Sequence, residues 1–307
     1  MDVSIIIVNY NVKDLLFKCL SSVKKYFPSN YSYEIIIVDN NSNDGSVDGL
    51  KKMFPEVTMI ENKLNIGFSA ANNQGIGVAK GNLIFLLNPD TELIDSSLIH
   101  LLQFISENTT GIIAGPKLIN SDSTFQNSCY KFPQVSQIIL EAFYLHLIFN
   151  NRTYPQNDLK QKRQVDALSG AVLIFKKELI AKTGMLDENL FWMEDIDLCF
   201  RNVKNGGINM YFPQTVIGHY GGGSSRKNYI ISISNQVISK VKYFKKNSGR
   251  PELFIAVAFS YMHVFTRITM FGFFSVFSKK CFRKFNAYTF TMKKLTGYLM
   301  KRQETII

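Results

Sequence analysis

Uninterrupted apolar runs, rather than alternating ones, mark the first strands of this chain. Val3 to Val8 (VSIIIV) and Glu34 to Val38 (EIIIV) are β-branched and nearly continuous, as expected of strands covered on both faces. Between them Leu15, Leu16, Cys19, Leu20 and Val23 recur with helical spacing, which predicts a helix from Asp14 to Tyr26. Asn43-Asp44-Gly45-Ser46 reads as a turn and helix cap. Val57 to Ile60 reads as a third strand, Ser69 to Lys80 as a helix and Leu83 to Leu87 as a fourth strand. Strands alternating with helices over the first hundred residues predict an α/β fold on a parallel sheet with right-handed crossovers.

A helix from Ser96 to Ser106 and a strand around Gly111 to Ala114 follow, and then the pattern loosens. Residues 120 to 165 are polar, interrupted by the apolar run Ile138 to Phe149. Gly170 to Phe175 is again a strand, Glu194 to Asn205 a helix, and Ile208 to Phe212 a last short strand before the glycine-rich segment at His219. Leu253 to Ser278 is apolar over 26 residues, with His263 and Arg267 as its only weighty polar interruptions. That length spans a hydrocarbon core of about 30 Å. A mid-span arginine costs on the order of 2.5–3.5 kcal/mol, which favours a helix, or a bent pair, lying in the leaflet over one crossing it. The competing reading is an ordinary buried helix with a basic face.

Composition narrows the class. With 46% hydrophobic and 19% charged residues the chain is globular, and 307 residues suffice for one large α/β core plus an appendage. The net charge of +11 belongs to the tail alone. Residues 226–307 hold 16 Lys/Arg against two acids, whereas residues 1–225 hold 19 against 22. Basic residues mixed with long apolar runs suit an anionic membrane surface, and no nucleic-acid partner is expected. Cys19, Cys129, Cys199 and Cys281 are far apart, without a disulfide or zinc pattern. Met1-Asp2 runs straight into a strand, so no signal peptide is expected and the catalytic part is expected in the cytoplasm.

Polar residues at strand ends carry the chemistry. Asn9-Tyr10-Asn11 follows the first strand, Asp39 ends the second, Asp90 ends the fourth, and Trp192-Met193-Glu194-Asp195 opens a late helix. In a doubly wound sheet the first three line one crevice beyond the strand tips. Asp39, flanked by amides, suits hydrogen bonding to the NH of a pyrimidine base. Asp90, in Asn88-Pro89-Asp90, suits a cation. Asp197 and Arg201 are spaced for a helix ion pair. His219 stands in a polar, glycine-rich setting, whereas His100, His146 and His263 sit in apolar runs as packing residues. Trp192 either stacks on a ligand ring or packs.

The order VNYN, VDNNSNDGS, NIGFSAANNQGI, FLLNPDTE, SGAVLIF, MEDIDLCFR and GHYGGGSS resembles the family 2 glycosyltransferases over residues 3 to 225. Within them it is most similar to the bacterial rhamnosyltransferase-like enzymes of polysaccharide assembly. The resemblance implies a GT-A fold in residues 1–225, with a nucleotide-sugar-binding half (1–115) and an acceptor half (116–225); residues 226–307, outside it, are expected from their basic, apolar composition to form a membrane-associating helical tail. It assigns Asn9, Tyr10, Asn11, Asp39, Asn65, Gly67, Asn73, Asn88 and Asp90 to the nucleotide sugar. Trp192 and Glu194 fall to the acceptor, and Asp195, with Glu194 beside it, to catalysis as the base. Asp90 and His219 fall to a Mg²⁺ or Mn²⁺ ion, with Asn88 where most members carry aspartate. The implied activity is inverting transfer of a sugar, L-rhamnose from dTDP-rhamnose foremost, to a lipid-linked or polysaccharide acceptor at the cytoplasmic membrane face. The alternatives are a UDP-galactofuranose or UDP-N-acetylhexosamine donor, or a non-catalytic glycan- or nucleotide-sugar-binding module.

Overall fold

A computed structural model describes residues 1–108, 111–149, 152–221 and 229–300. The early runs form β1 (Val3–Asn9), α1 (Lys13–Tyr26), β2 (Tyr33–Asp39), α2 (Ser46–Met53), β3 (Thr58–Glu61), α3 (Phe68–Val78) and β4 (Leu83–Leu87). After these come β5 (Thr91–Leu93), α4 (Leu98–Glu107), β6 (Ile112–Ile119), β7 (Phe125–Gln126), β8 (Cys129–Tyr130) and α5 (Val135–Ala142). The elements β9 (Arg163–Val165), β10 (Ala167–Leu168), β11 (Val172–Lys176), α6 (Leu179–Thr183), α7 (Glu194–Lys204) and β12 (Ile208–His219) follow. Three helices close the chain: α8 (Tyr229–Asn247), α9 (Arg250–Ser275) and α10 (Lys279–Leu299).

The main sheet runs β3-β2-β1-β4-β11-β6-β12-β5 and is mainly parallel. Its strands are apolar on both faces because both are covered. Ile5, Ile7, Ile35 and Ile37 join Leu16, Leu20 and Val23 of α1 on one side. Ile6, Val8, Ile36 and Val38 meet Ala71 and Ile76 of α3 and Leu198 of α7 on the other. One departure from the parallel expectation is β11, which lies antiparallel between β4 and β6. A second is the length of β12. The sequence pattern stops at Phe212 because Pro213 follows, yet the strand continues to His219 through a register shift between Phe212 and Val216. A proline without an N–H is tolerated at such an irregularity.

Gly75 and Gly77 of α3 separate packing from propensity. A Cβ on Gly75 would stand 2.5 Å from Ile6 Cγ2, whereas one on Gly77 meets nothing within 4 Å. Gly75→Ala is therefore expected to destabilise by about 1–3 kcal/mol through overpacking. Gly77→Ala is expected to stabilise by roughly 0.5–1 kcal/mol through helix propensity. Urea unfolding with an unchanged m-value reads both.

The chain divides into two units. The first comprises residues 1–132, 153–188 and 194–224, and holds the sheet. The second comprises 133–152, 189–193 and 225–307. Segments 133–152 and 189–193, expected in the acceptor half, thus belong with the tail. Within this second unit α5 packs on α9, where Thr266 Oγ1 donates to the Ala142 carbonyl (3.0 Å), and the Phe191 N–H donates to Ser239 Oγ (2.9 Å). α9 is long and apolar enough to cross a membrane by length and composition. It buries only the stripe Ala256, Ser260, Val264 and Arg267, leaving Phe254 and Phe273 more than 70% exposed. That distribution does not fit an ordinary buried helix.

Candidate active site

The parallel run β2-β1-β4 brings three carboxyl-terminal strand ends to one sheet edge. β11 opposes β4, so its amino-terminal end reaches the same edge. β12 runs parallel to β6, which opposes β11, so His219 at its end arrives there too. Asn9, Asp39, Asp90, Gly170 and His219 thereby share one edge, where open α/β sheets bind ligands.

Register places Asn9 opposite Asp39. Asn9 is fully buried, and its Nδ2 lies 2.7 Å from Asp39 Oδ2 and 2.9 Å from Ser46 Oγ. Asp39 Oδ1 accepts from the Ser42 N–H (2.8 Å). Asn9, expected on the nucleotide sugar, is thus sealed behind Asp39 and orients it. Asn11 adopts φ +54°, a conformation asparagine tolerates, and its Oδ1 accepts from the Asn43 N–H (2.8 Å). Tyr10 is half-buried beside it. Asn65 Oδ1 accepts from the Gly67 N–H (3.0 Å), and Gly67 opens α3 at φ +89°, where a side chain would be strained. Asn40 lies in the VDNNSNDGS motif without an assigned role and Asn62 in no motif, and together they tie the end of β2 to this turn: Asn40 Nδ2 donates to the Gly67 carbonyl and Asn62 Nδ2 to Asn40 Oδ1. Asn73 has a different task from the expected one. Its amide clamps Leu186 through both N–H and carbonyl and also donates to Glu188, so its polar atoms are committed to the 186–188 loop.

The Asn88-Pro89-Asp90 turn is held tightly. The Asn88 N–H donates to the Ala171 carbonyl (2.9 Å), and the Asn88 carbonyl accepts from Thr91 Oγ1 (2.6 Å). The Asp90 carbonyl accepts from the Tyr220 N–H (2.9 Å), while the Tyr220 hydroxyl donates to Glu92. That bond to a carboxylate, with burial, pushes the Tyr220 phenol up to about 12.

His219 Nε2 lies 3.4 Å from Asp90 Oδ1. Its Nδ1 lies 2.6 Å from Gln126 Oε1. Gln126 Nε2 donates to Asn120 Oδ1 (2.9 Å) and the His219 carbonyl (3.3 Å), which fixes the amide with its oxygen towards the ring. His219 Nδ1 therefore carries the proton. In the neutral ring Nε2 is then a lone-pair donor 3.4 Å from the Asp90 carboxylate, and an imidazole nitrogen beside a carboxylate oxygen is a donor set that fits a cation. Among the described residues no group of three or more His, Cys, Asp or Glu forms a metal site. Gln126 carries no motif, and no sequence signal marks it. Residues 222–225 of the glycine-rich segment lie outside the described residues.

Asp195 sits in the first turn of α7, where Oδ2 accepts from the Gly170 N–H (2.7 Å) and Oδ1 from the Ile196 N–H (2.8 Å). Gly170 precedes Ala171, the partner of Asn88, so Asp195 is two backbone links from the Asp90 turn. Burial raises its carboxyl above the ordinary range, against these two N–H groups that lower it. Burial, and next the charge of Asp195, push the nearby Tyr130 phenol up to about 12. Glu194 beside Asp195 is buried. Asp197 is fully buried and pairs with Arg201 (2.8 Å), whose guanidinium also holds the carbonyls of Thr183, Gly184 and Met185, so that pair is structural. Trp192, in the second unit, is 50% exposed at φ +66° and stacks on Phe191 with centroids 6.0 Å apart. One histidine departs from the packing expectation: His100 is exposed. His263 packs on the Tyr288 ring (centroids 6.0 Å), with Nδ1 3.8 Å from Glu141 Oε2.

The model of the family described as glycosyl transferase family 2 matches residues 4–184. A poly(ribitol-phosphate) beta-glucosyltransferase of Bacillus spizizenii is 36% identical over 119 residues, 38% of this chain and 19% of the relative. An N-acetylglucosaminyl-diphospho-decaprenol L-rhamnosyltransferase of Mycobacterium tuberculosis is 26% identical over 203 residues, 61% of this chain and 66% of the relative. The chain thus spans only part of either relative. Among solved structures, GalNAc-T7 with UDP, GalNAc and Mn²⁺ superposes with TM-score 0.57 at 20% identity, over 80% of this chain and 50% of that one. A mannosyltransferase of Pyrobaculum calidifontis in complex with GDP-Man and Mn²⁺ gives 0.56 at 15% identity, over 98% and 88%. The expected GT-A fold is therefore the fold observed.

Proposed function

This chain belongs to glycosyl transferase family 2, and we propose that it is an inverting, metal-dependent transferase that moves L-rhamnose from dTDP-rhamnose to a lipid-linked or polysaccharide acceptor. One observation carries this reading: the Asp90–His219 pair and the Asp195 carboxylate stand on one sheet edge, linked through Asn88, Ala171 and Gly170. The first is suited to the diphosphate end of a sugar nucleotide and the second to an acceptor hydroxyl. The rhamnosyl donor is supported by similarity to the mycobacterial relative and by the single carboxylate of Asn88-Pro89-Asp90.

Asp90 and His219 Nε2 would hold Mg²⁺ or Mn²⁺, which supplies electrostatic stabilisation of the leaving diphosphate. Asp39, oriented by Asn9, reads the pyrimidine NH. Tyr10, Asn11, Asn65, Gly67 and Asn88 line the donor side. Asp195 takes the proton of the acceptor hydroxyl as its oxygen bonds to the anomeric carbon from the face opposite the diphosphate. The bond from that carbon to the diphosphate oxygen breaks, and the electron pair leaves with the nucleoside diphosphate. Glu194 serves the acceptor. The second unit supports action at the cytoplasmic membrane face: it carries most of the exposed large apolar side chains, among them Phe254, Phe273, Val276 and Phe277, next to Lys279 and Lys280.

The test is transfer and donor-dependent heat protection across dTDP-rhamnose, UDP-galactofuranose and UDP-N-acetylhexosamines, with and without Mn²⁺. Protection and transfer with dTDP-rhamnose alone, lost on chelation, is the expected pattern. Equal response to a UDP-sugar overturns the donor assignment.

A further inference from the structure

The dipeptide Gly170-Ala171 makes one backbone hydrogen bond to each of the two groups that carry the proposed chemistry. The Ala171 carbonyl accepts from the Asn88 N–H (2.9 Å), at the turn that holds Asp90, and the Gly170 N–H donates to Asp195 Oδ2 (2.7 Å). The dipeptide is itself fastened by its neighbours. The Ser169 N–H donates to the Ser128 carbonyl (2.8 Å), the Val172 N–H to the Ser169 carbonyl (3.3 Å) and the Ala171 N–H to Ser169 Oγ (3.3 Å). Ala171 is buried, and β11 follows it directly. The Asp90 turn and the Asp195 carboxylate are thus both referred to one fastened piece of backbone, not to two independent loops.

Asp195 approaches this backbone so closely that a side chain at position 170 would meet it. A Cβ on Gly170 would stand 3.2 Å from both Cβ and Oδ2 of Asp195, closer than ordinary van der Waals contact, and 3.5 Å from its Cγ. Gly170 is not among the glycines of positive φ, so its backbone conformation would accept alanine. The constraint is one of space. Asp195 is also pinned on its other oxygen, because Oδ1 accepts from the Ile196 N–H (2.8 Å). A methyl group at position 170 is therefore accommodated only by moving the carboxylate, or by moving the dipeptide away from the Asn88 turn.

We propose that Gly170 is a positioning residue of the transfer reaction: its N–H and its missing side chain together fix where the Asp195 carboxylate stands relative to the Asp90 turn. The inference rests on the reading of Asp195 as the base. Displacement at the anomeric carbon needs the base on one face of the sugar and the leaving diphosphate on the other, so the separation of the two groups is set before substrate binds. A misplacement of about 1 Å costs on the order of 10²-fold in rate, and one of a few tenths of an ångström about tenfold.

Gly170→Ala is expected to lower kcat about tenfold while leaving donor KM within about twofold. It also weakens an N–H bond that lowers the Asp195 carboxyl, so the rise of rate with pH should move to higher pH. Burial, with the charge of Asp195 adding to it, keeps the neighbouring Tyr130 and Cys199 protonated across this window. The adjacent Glu194 is separated from Asp195 by the loss of the rise in Asp195→Asn. A glycine needed only for packing would lower the residual transfer of Asp195→Asn by the same factor. A positioning glycine leaves it unchanged, so Gly170→Ala/Asp195→Asn should match Asp195→Asn within about twofold. The otherwise unmodified chain gives a second readout: the nitrogen-15 amide signal of Gly170, assigned through the Ser169 carbonyl, should shift with pH at the midpoint of the rate. That shift should vanish in Asp195→Asn. Three results overturn the inference: undiminished kcat in Gly170→Ala, an equal fractional loss in the Asp195→Asn background, or a Gly170 amide that does not follow the rate. Each leaves the base reading intact, because that reading is decided by Asp195→Asn alone.

Discussion

Asp195→Asn is expected to lower glycosyl transfer by a factor of about 10²–10⁴ while leaving donor binding within about twofold. The substitution keeps volume and one acceptor oxygen, so α7 can retain a bond from the Gly170 or Ile196 N–H. It removes the ability to take a proton. Burial holds the Asp195 carboxyl above the ordinary carboxylate range, which makes it a stronger base than a solvated aspartate. The rate should therefore rise with pH as Asp195 deprotonates, in a window above that of a free aspartate, and this rise should vanish in Asp195→Asn. Stability runs the other way. A raised folded-state pKa means that the folded chain holds the proton more tightly than the unfolded chain. The associated stability is present at low pH and is lost as pH rises through the raised value. Initial rates and thermal unfolding followed over the same pH range read both signs. Undiminished transfer by Asp195→Asn would remove the base assignment.

The edge to which we assign this chemistry was largely legible in the sequence, because it is built where continuous apolar runs stop. Val3–Val8, Glu34–Val38 and Leu83–Leu87 all became strands of the parallel run, and the polar residues after them, Asn9, Asp39 and Asp90, fell on one edge. Periodicity carries no strand direction, so nothing in Gly170–Phe175 announced that β11 would oppose its neighbours. That reversal is what brings Gly170, and with it Asp195, to the edge. Pro213 hid the second half of β12, and so the route by which His219 reaches Asp90. Hydrogen-bond roles were least legible. Asn73 lies in a motif yet clamps the 186–188 loop, whereas Gln126 lies in none and fixes the His219 tautomer. In the second unit, the arginine that argued against a membrane-crossing α9 turns inward to Tyr144 and Ala142. Only the packing of α5 on α9 reveals that.

Asp90→Asn is expected to cut Mn²⁺-supported transfer by about 10²-fold or more and to abolish measurable Mn²⁺ binding, read from the electron paramagnetic resonance of free Mn²⁺. The effect should be this large because the site has no second carboxylate in reserve. Asn88 is an amide, and among the described residues no third His, Cys, Asp or Glu completes a metal-binding group. Removing Asp90 leaves one imidazole, which does not hold a hard divalent cation that prefers oxygen ligands. Gln126→Leu should act more weakly and differently. It leaves both ligands in place but removes the acceptor that keeps the proton on His219 Nδ1, so Nε2 faces Asp90 as a donor in part of the molecules. A loss of about 10–100-fold in Mn²⁺ affinity follows, with transfer recovering as Mn²⁺ is raised. Nitrogen-15 shifts of the His219 ring, assigned against His219→Gln, should move from the Nδ1-protonated form towards the other tautomer in Gln126→Leu, independently of turnover. If Asp90→Asn instead binds Mn²⁺ and transfers sugar as the unmodified chain does, the cation lies elsewhere and the Asn88-Pro89-Asp90 turn serves only the fold.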